Sequence, residues 1–328
     1  MDAGISSHLG AFYQDVAAFQ SLVDGLEHET GAPPRAQAAM LGHGLQTLML
    51  SAGELESHLA PSAPELLRDT QHTFRRLTSA FFCKSPNIER ALTKPRGYAG
   101  DHALLDMYYT DSRVSSGVGR ALDEVLYGTP AVRAVVNRKE YVKRWLAARV
   151  SRRSCAKVID LACGPCRVER DLFDAGRVAD AQLTVVDQDP EALAYARRVL
   201  GPYADLVNFV QANAIQMARA KAVPAALAGA SLTVSLGLFD YLPRAIAVNL
   251  LRALRAGSAP GGELLVGNFA RGNPTRTFME WAADWVLIHR TDEEFLQLFL
   301  DAGFAPEDLR CEREAEGGLV LMVTARVT

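Results

Sequence analysis

The stretch that most constrains the fold of this chain is Val158-Ile159-Asp160-Leu161-Ala162-Cys163-Gly164-Pro165-Cys166-Arg167. A short apolar segment ends in Asp160, small residues follow as far as Gly164, and a helical pattern runs over 169–173. A strand, a small-residue turn and a helix N-terminus begin a nucleotide-binding α/β unit, because small residues let the backbone approach a ligand and helix amides bind acceptor groups. We therefore expect an α/β core from this point onward.

The apolar runs from residue 157 onward predict a sheet. Five of them are typical of strands, at 157–161, 182–187, 206–211, 231–236 and 263–268. Helical segments separate these runs, which favours a parallel sheet with helices on both faces. Two further runs, 304–312 and 318–325, predict an antiparallel hairpin at the sheet edge. The predicted fold class is therefore α/β, with a seven-stranded Rossmann-like sheet that is mostly parallel and ends in an antiparallel hairpin.

The N-terminal part of the chain has a helical period instead. Apolar residues recur at helical spacing over 11–26, 36–59 and 65–82. We predict a helical domain over 1–130, which acts as a lid or substrate domain, and a core domain over 131–328. The connecting segment 85–101 is interpreted as a shaped loop around Lys94-Pro95-Arg96-Gly97-Tyr98. Asp101 would cap the next helix, 102–109.

Composition and charge exclude several classes of protein. The chain has 328 residues, is 49% hydrophobic and carries a formal net charge of -3, so no overall charge attracts nucleic acid. No apolar run reaches the length of a membrane span, and the first nine residues lack the basic start and apolar stretch of a signal peptide. We therefore expect a cytoplasmic protein. Its five cysteines are an odd number in a chain that needs no covalent staples, which favours reduced thiols.

Two later strand ends carry further candidate ligand-binding residues. Asp187 ends the second predicted strand, where a carboxylate can accept both hydroxyls of a ribose. Asp189 and Pro190 then fit the N-cap and first position of a helix. Asn213 follows the third predicted strand, where its amide can hydrogen-bond an adenine edge. Ligands of open parallel sheets bind at the carboxyl ends of the strands, so these positions and the turn after the first strand predict one site.

With these motifs, the chain resembles the class I S-adenosylmethionine-dependent methyltransferases over 141–328. The resemblance implies S-adenosylmethionine as cofactor and S-adenosylhomocysteine as product. It assigns the methionine moiety to the turn after the first strand, the ribose to Asp187 and the adenine to Asn213. The cofactor-binding residues expected are Asp160, Ala162, Gly164, Asp187, Gln188, Asn213, Ala214 and Gly237. Of the family's three glycines in the turn, only Gly164 remains, because Ala162 and Cys166 replace the others.

Four segments resemble a narrower bacterial group, the methyltransferases credited with making 3-hydroxypalmitic acid methyl ester. They are 94–101, 237–242, 265–269 and 284–285. This resemblance implies O- or N-methylation of a small molecule in secondary metabolism, such as the carboxylate of a 3-hydroxy fatty acid or another natural-product acceptor. A small-molecule acceptor is thus the expected partner, and a homodimer is possible.

The acceptor chemistry decides which residues would act in catalysis. A carboxylate is already anionic and needs no general base, so Arg96 or Lys94 would orient it and Tyr98 would donate a hydrogen bond. A hydroxyl or an amine would use a base, from Asp101, His102 or Asp240. The catalytic residues expected are Tyr98, Asp101 and Arg96, although His102 by itself is expected at the surface.

Aromatic side chains are the candidates for the acceptor pocket. The residues expected to bind substrate are Tyr109, Tyr241, Trp281 and Trp285. Trp281 and Trp285 are four residues apart in a predicted helix over 273–283 and its continuation, so they would share one face. Packing in the core is the competing interpretation of Tyr241 and of both tryptophans.

Other functions compete for the same residues. Cys163-Gly164-Pro165-Cys166 has the spacing of a thioredoxin-like dithiol, but no tryptophan precedes it and Asp187 has no role in redox chemistry. A nicotinamide-dependent dehydrogenase would also use Asp187, but favours more glycines and a sixth parallel strand. A non-catalytic sensor of an adenosyl ligand would keep the same pocket. No metal site is expected, since neither a second cysteine pair nor clustered histidines are visible in the sequence.

Overall fold

The computed structural model describes residues 3–28, 34–178, 180–220, 224–315 and 317–328. The helices in this part of the chain are α1 (Ala3–His28), α2 (Pro34–Leu59), α3 (Pro64–Phe82), α4 (Pro86–Thr93), α5 (His102–Tyr109), α6 (Gly117–Gly128), α7 (Pro130–Val150), α8 (Arg167–Asp174), α9 (Pro190–Leu200), α10 (Ala214–Arg219), α11 (Arg244–Gly257), α12 (Arg276–Ala282) and α13 (Asp292–Asp301). The strands are β1 (Lys157–Leu161), β2 (Gln182–Asp187), β3 (Val207–Gln211), β4 (Ala230–Ser235), β5 (Ser258–Phe269), β6 (Leu309–Arg313) and β7 (Val320–Arg326).

The seven strands form one sheet in the order β3-β2-β1-β4-β5-β7-β6. The first five pair in parallel, whereas β7 runs antiparallel to both β5 and β6. This arrangement confirms the predicted fold class. Because β1 lies between β2 and β4, the chain order reverses there, and the carboxyl ends of β1 and β4 border the crevice where such sheets bind ligands.

The chain divides into two compact units. The first consists of the described residues up to 100, of 110–132 and of 274–286, and the second of the remaining described residues. Aromatic side chains fill the core of the first unit. Trp281 is fully buried there, with its ring centroid 5.1 Å from that of Phe12 and 5.7 Å from that of Phe74. The predicted domain boundary between 130 and 131 stays a prediction.

The core of the second unit forms where helices cover the sheet. Most of the buried residues of β1, β4, β5 and β7 are aliphatic, as expected for strands covered on both faces. Helix α7 is fixed to the sheet at two points, because Trp145 donates a hydrogen bond to Thr324 at 3.0 Å and Arg149 pairs with Glu263 at 2.8 Å. These contacts fix the C-terminal half of α7 to β5 and β7.

Some predicted boundaries differ from the structure. The segment predicted as a loop contains α4, which Ser85 caps by accepting the Ile88 amide at 3.3 Å and which has a proline at its start. The strand predicted from 304 begins only at 309, after a short 3-10 helix over Pro306–Asp308. Within the described residues, no helix is both long enough and apolar enough to cross a membrane.

Candidate functional site

The turn after β1 has an unusual backbone path. Every second residue lies in the left-handed region, with φ of 60° at Ala162, 57° at Gly164 and 54° at Cys166. The amides of Ala162 and Cys163 bind the carbonyl oxygen of Val186 in β2, at 2.8 and 3.2 Å. A left-handed conformation costs a non-glycine residue roughly 1–2 kcal/mol, and such strain concentrates at ligand sites. The turn therefore keeps a glycine-like path at all three positions, although only one residue is glycine.

Asp187 ties this turn to the end of β2. Its Oδ2 accepts the Gly164 amide at 3.2 Å and its Oδ1 accepts the Asp189 amide at 3.0 Å. Burial raises the pKa of the Asp187 carboxyl, and the two amides oppose that rise because they stabilise the charged form. Each carboxylate oxygen keeps a second acceptor position, so Asp187 can hold the turn and still accept hydroxyl groups.

Helix α5 packs beside the turn. A β-carbon on Gly164 would lie 3.8 Å from the Leu105 side chain. Asp106 fixes the helix, since its Oδ2 accepts hydrogen bonds from Arg167 at 2.8 Å and from the Tyr195 hydroxyl at 2.6 Å. The hydrogen bonds that Arg167 donates to Asp106 raise the pKa of the arginine. Asp106 and Tyr195 are site residues that sequence reasoning missed, because no local pattern connects positions so far apart in the chain.

His102, at the start of α5, is buried and not at the surface as predicted. Only 6% of the residue is exposed, and its ring centroid lies 5.0 Å from that of Tyr195. Its Nδ1 is 3.9 Å from Oδ2 of Asp189. Asp189 caps α9 as predicted, because its side chain accepts the Glu191 amide at 3.0 Å. The packing of α5 on α9 explains the burial of the histidine.

Asp160 forms a buried pair of acids with Glu169. The two carboxyls share a hydrogen bond. Burial, followed by the charge of Glu169, raises the pKa of Asp160 well above its usual range. Burial also raises the pKa of Glu169, although its hydrogen bond with Asp160 opposes that rise. Oε1 of Glu169 has no hydrogen-bond partner among the described residues, and Glu169 lines an otherwise apolar cavity of about 10 Å³. A cavity of this size holds one water molecule at most.

The predicted adenine-binding residues come together at the end of β3. Asn213 caps α10, with its Oδ1 accepting the Ile215 and Gln216 amides at 2.8 and 3.2 Å. Its Nδ2 donates to Oε1 of Gln188 at 2.7 Å. Ala214 is buried at the start of the helix. The structure thus brings Gln188, Asn213 and Ala214 together next to Asp187, while the contact with adenine stays a prediction.

A buried arginine faces the end of β4. Gly237 has φ of 71°, and a β-carbon there would lie 3.1 Å from Nη2 of Arg138. Arg138 is only 4% exposed, and its Nε has no hydrogen-bond partner among the described residues. The nearest carboxylate oxygen, Oδ2 of Asp240, is 4.0 Å from Nη1. Since a guanidinium offers five N–H donors, Arg138 has the capacity to bind an anionic group.

Asp240 and Arg290 fix the ends of β4 and β5. Oδ1 of Asp240 accepts the Phe269 amide at 2.6 Å, and Arg290 donates to the carbonyls of Phe239 and Leu242 at 2.7 and 2.6 Å. Burial raises the pKa of Asp240, whereas Arg138 and the Phe269 amide lower it. Oδ1 of Asp240 therefore has a structural hydrogen bond, whereas Oδ2 faces Arg138.

The predicted substrate-binding aromatics have different environments. Tyr241 is 37% exposed, so it is not a core residue, and Tyr109 is half-buried with the Lys139 ammonium 5.7 Å from its ring centroid. Trp281 is fully buried, and its indole donates to Glu56 at 3.1 Å. The burial of Trp281 favours the competing interpretation, packing in the core, and its substrate-binding role stays a prediction. Trp285 lies beyond the end of α12, so the two tryptophans do not share a helical face.

The loop after α4 is fixed within the first unit. Lys94 caps α4 in the left-handed region and forms an ion pair with Asp284, which also lies 3.5 Å from Arg75. Lys94 was predicted to orient a substrate carboxylate, but its ammonium is paired with Asp284 instead. A β-carbon on Gly100 would lie only 2.4 Å from the Trp285 indole.

The three predicted catalytic residues follow in the same stretch. Arg96 is exposed and Tyr98 is half-buried. Asp101 is buried and accepts the Leu104 amide at 3.0 Å, which confirms its predicted cap. The catalytic roles of Tyr98, Asp101 and Arg96 stay predictions.

The two cysteines of the turn are thiols at neutral pH. They hydrogen-bond to each other, and both are buried. The pKa of Cys163 rises to about 11 because burial and nearby carboxylates outweigh that hydrogen bond, which lowers it. The hydrogen bond with Cys163 and burial raise the pKa of Cys166 well above its usual range. Catalytic dithiols have the opposite property, a lowered pKa, so the thioredoxin-like interpretation is not supported.

Metal-binding side chains come together elsewhere. Among the described residues, one group of three lies close enough to share an ion: His8, Glu54 and His58, in the first unit. Sequence spacing did not show this cluster, because its members lie on two different helices.

Comparisons with known proteins bear on the fold. No protein-family model matches the chain, and no curated protein sequence is detectably similar to it. The crystal structure of a possible exported protein from Bordetella parapertussis aligns over 98% of this chain and 96% of that chain, with 20% identity and a TM-score of 0.60. That alignment shows that the fold recurs over almost the whole chain.

Two methyltransferase structures align over smaller parts. Magnesium protoporphyrin IX methyltransferase from Synechocystis, with bound S-adenosylhomocysteine, matches 60% of this chain and 87% of that chain, with 14% identity and a TM-score of 0.46. The N-methyltransferase NodS from Bradyrhizobium japonicum, also with S-adenosylhomocysteine, matches 69% and 97%, with 15% identity and a TM-score of 0.43. The strand order and pairing define this chain as an α/β protein with a Rossmann-like sheet whose chain order reverses between β1 and β4.

Proposed function

We propose that the chain is an S-adenosylmethionine-dependent methyltransferase that acts on a small-molecule acceptor. One observation carries the proposal: the turn after β1 follows a glycine-like path, and its Gly164 amide is bound by Asp187 at the end of β2. Such a turn lets the backbone approach a ligand closely, while a carboxylate in that position accepts ribose hydroxyls. The two requirements of an adenosyl ligand thus meet in one hydrogen-bonded unit.

Different residues of the second unit would bind different parts of the proposed cofactor. Asp160, Ala162 and Gly164 would lie against the methionine moiety, Asp187 would accept the ribose hydroxyls, and Gln188 with Asn213 would border the adenine. When bound, S-adenosylmethionine supplies an electrophilic methyl group on a sulfonium. The protein then has to place a nucleophile in line and exclude water, so positioning accounts for most of the catalysis.

The environment of Arg138 favours a ligand with a carboxylate. A buried guanidinium with an open N–H donor stabilises an anion strongly, because competing water is excluded. That carboxylate belongs either to the methionine moiety or to the acceptor. An acceptor carboxylate, for example that of a 3-hydroxy fatty acid, would need no general base. The roles predicted for Arg96, Tyr98, Tyr109 and Tyr241 toward the acceptor stay predictions.

The competing functions differ from this proposal in testable ways. A dehydrogenase of the predicted type would have a sixth parallel strand next to β5, but the neighbour of β5 is the antiparallel β7. A non-catalytic sensor would bind the same adenosyl ligand without turnover, so transfer of a labelled methyl group separates it from an enzyme. A cytoplasmic location and a homodimer stay proposals.

Calorimetric titration with S-adenosylmethionine and S-adenosylhomocysteine tests the proposal. We expect micromolar binding by the wild type and no binding of NADH. Asp187→Asn keeps an acceptor for the Gly164 amide but loses the charge, and loss of a charged hydrogen bond corresponds to roughly a 10- to 100-fold weaker affinity. The control is Asp205→Asn, because the Asp205 side chain is 99% exposed. Failure of folded wild-type protein to bind either adenosyl ligand would contradict the proposal.

A further inference from the structure

Two histidines and a glutamate lie together on the first two helices. His8 on α1, and Glu54 and His58 on α2, each offer one ligand atom, and these three atoms all lie within 4.8 Å of one another. The two imidazole rings stack, with centroids 3.9 Å apart and an angle of 22° between their planes. None of the three residues belongs to the ligand site of the second unit, so the proposed function leaves the cluster unexplained.

We propose that His8, Glu54 and His58 form a binding site for a divalent transition-metal ion, and that zinc fits it best. Two imidazole nitrogens and one carboxylate oxygen are donors that zinc takes in proteins. In a tetrahedral site with bonds of about 2.0–2.2 Å, neighbouring ligand atoms are about 3.4 Å apart. Side-chain rotation closes the remaining distance without moving the core, because His8 is half-buried and Glu54 and His58 are exposed.

The helical positions of the ligands support the site. Glu54 and His58 are four residues apart, so they project from the same face of α2. His58 lies in the last turn of α2, where the partial negative charge of the helix C-terminus favours a cation. Three protein ligands leave a fourth position for water. The ion would join the beginning of α1 to the end of α2, and an ion that binds only the folded chain stabilises it.

Metal titration of the full chain tests this site independently of the proposed cofactor. Metal-free protein is titrated with zinc chloride by calorimetry, and with cobalt chloride by visible absorption, in the absence of adenosyl ligands. We expect one ion per chain and a tetrahedral cobalt spectrum. His8→Ala, His58→Ala and Glu54→Gln should each weaken binding by at least roughly 10- to 100-fold, the loss that even an outer-shell partner of a metal ligand causes.

The matched control is His43→Ala, because His43 is an exposed histidine on the same helix. It should bind zinc like the wild type, and zinc should raise the unfolding temperature of the wild type and of this control only. Circular dichroism checks that every variant is folded. The proposal would be overturned if the three ligand variants bound zinc as tightly as the wild type does. It would also be overturned by several weak sites per chain, or by no binding to the wild type.

Discussion

The side chains of the candidate site differ in how many of their polar atoms have hydrogen-bond partners within the protein. Asp187 and Asn213 bind backbone amides and also line the site, so each has a structural contact besides its proposed ligand. Arg138 differs, because its guanidinium is buried while Nε has no hydrogen-bond partner among the described residues and the nearest carboxylate is 4.0 Å away. A buried, incompletely bonded cation destabilises a protein unless a ligand completes it. We therefore assign Arg138 a role in binding.

Replacing Arg138 tests whether its guanidinium binds the carboxylate of the proposed cofactor. Methylthioadenosine lacks the amino acid part of S-adenosylhomocysteine, so the ratio of the two affinities isolates that part. If Arg138 binds the methionine carboxylate, Arg138→Gln should reduce the preference for S-adenosylhomocysteine by roughly 10- to 100-fold, as expected for a lost charged hydrogen bond. Calorimetry measures both affinities, and Arg133→Gln, an exposed arginine on the same helix, is the control.

The other source of a carboxylate gives a different result. If the acceptor supplies it, the preference between the two adenosyl ligands should not change. Arg138→Gln should then weaken the binding of decanoate to the protein saturated with S-adenosylhomocysteine. An unchanged affinity for all three ligands would show that Arg138 binds no carboxylate.

At the scale of whole elements, two contacts fix the loop between α4 and α5. Lys94 pairs with Asp284, and the Trp285 indole packs directly on Gly100. Gly97 and Gly100 both have positive φ, of 83° and 74°, but a β-carbon on Gly97 would meet nothing within 4 Å. The two glycines are thus a matched pair that separates backbone strain from close packing.

Gly100→Ala should destabilise the protein clearly more than Gly97→Ala does. Both variants introduce a residue at positive φ, which costs roughly 1–2 kcal/mol. Only Gly100→Ala also overpacks a rigid indole, which costs about 1–3 kcal/mol more. Urea denaturation followed by tryptophan fluorescence measures the difference in the free energy of unfolding. Equal destabilisation by the two variants would mean that Trp285 does not pack on Gly100.

Local sequence signals predicted most elements but missed two short helices. The bounds of β1, β2 and α5 agree with the prediction, because apolar runs and caps such as Asp101 mark them locally. Helix α4 was missed because it lies in a segment whose prolines and glycines favoured a loop, and α10 because six residues are too few for a hydrophobic period to show. Trp285 was placed on a helix that ends before it, because spacing alone does not show where a helix stops.

Side-chain partners distant in the chain could not be predicted at all. The pairing of Asp106 with Arg167 spans 61 positions, and that of Arg138 with Asp240 joins a helix to a strand end. Only the packed sheet determines which side chains meet at its edge. The candidate cofactor residues were predictable because they follow strand ends in chain order, whereas Arg138 and Asp106 needed the structure.

At the scale of the whole molecule, the strand order indicates where the proposed ligand would bind. The reversal of chain order at β1 opens the crevice, the left-handed turn gives the backbone access to it, and Asp187 connects the turn to β2. These three features belong to the second unit alone. The central claim is therefore that an adenosyl ligand binds against residues 162–166 and 187–189.

Hydrogen–deuterium exchange with and without saturating S-adenosylhomocysteine tests that claim most directly. We predict slower exchange in peptides that cover 161–167 and 187–191, since a bound ligand restricts the opening of the backbone it contacts. NADH at the same concentration should protect neither segment. Two results would contradict the account. One is that S-adenosylhomocysteine leaves the exchange rate of both segments unchanged, and the other is that NADH slows their exchange equally.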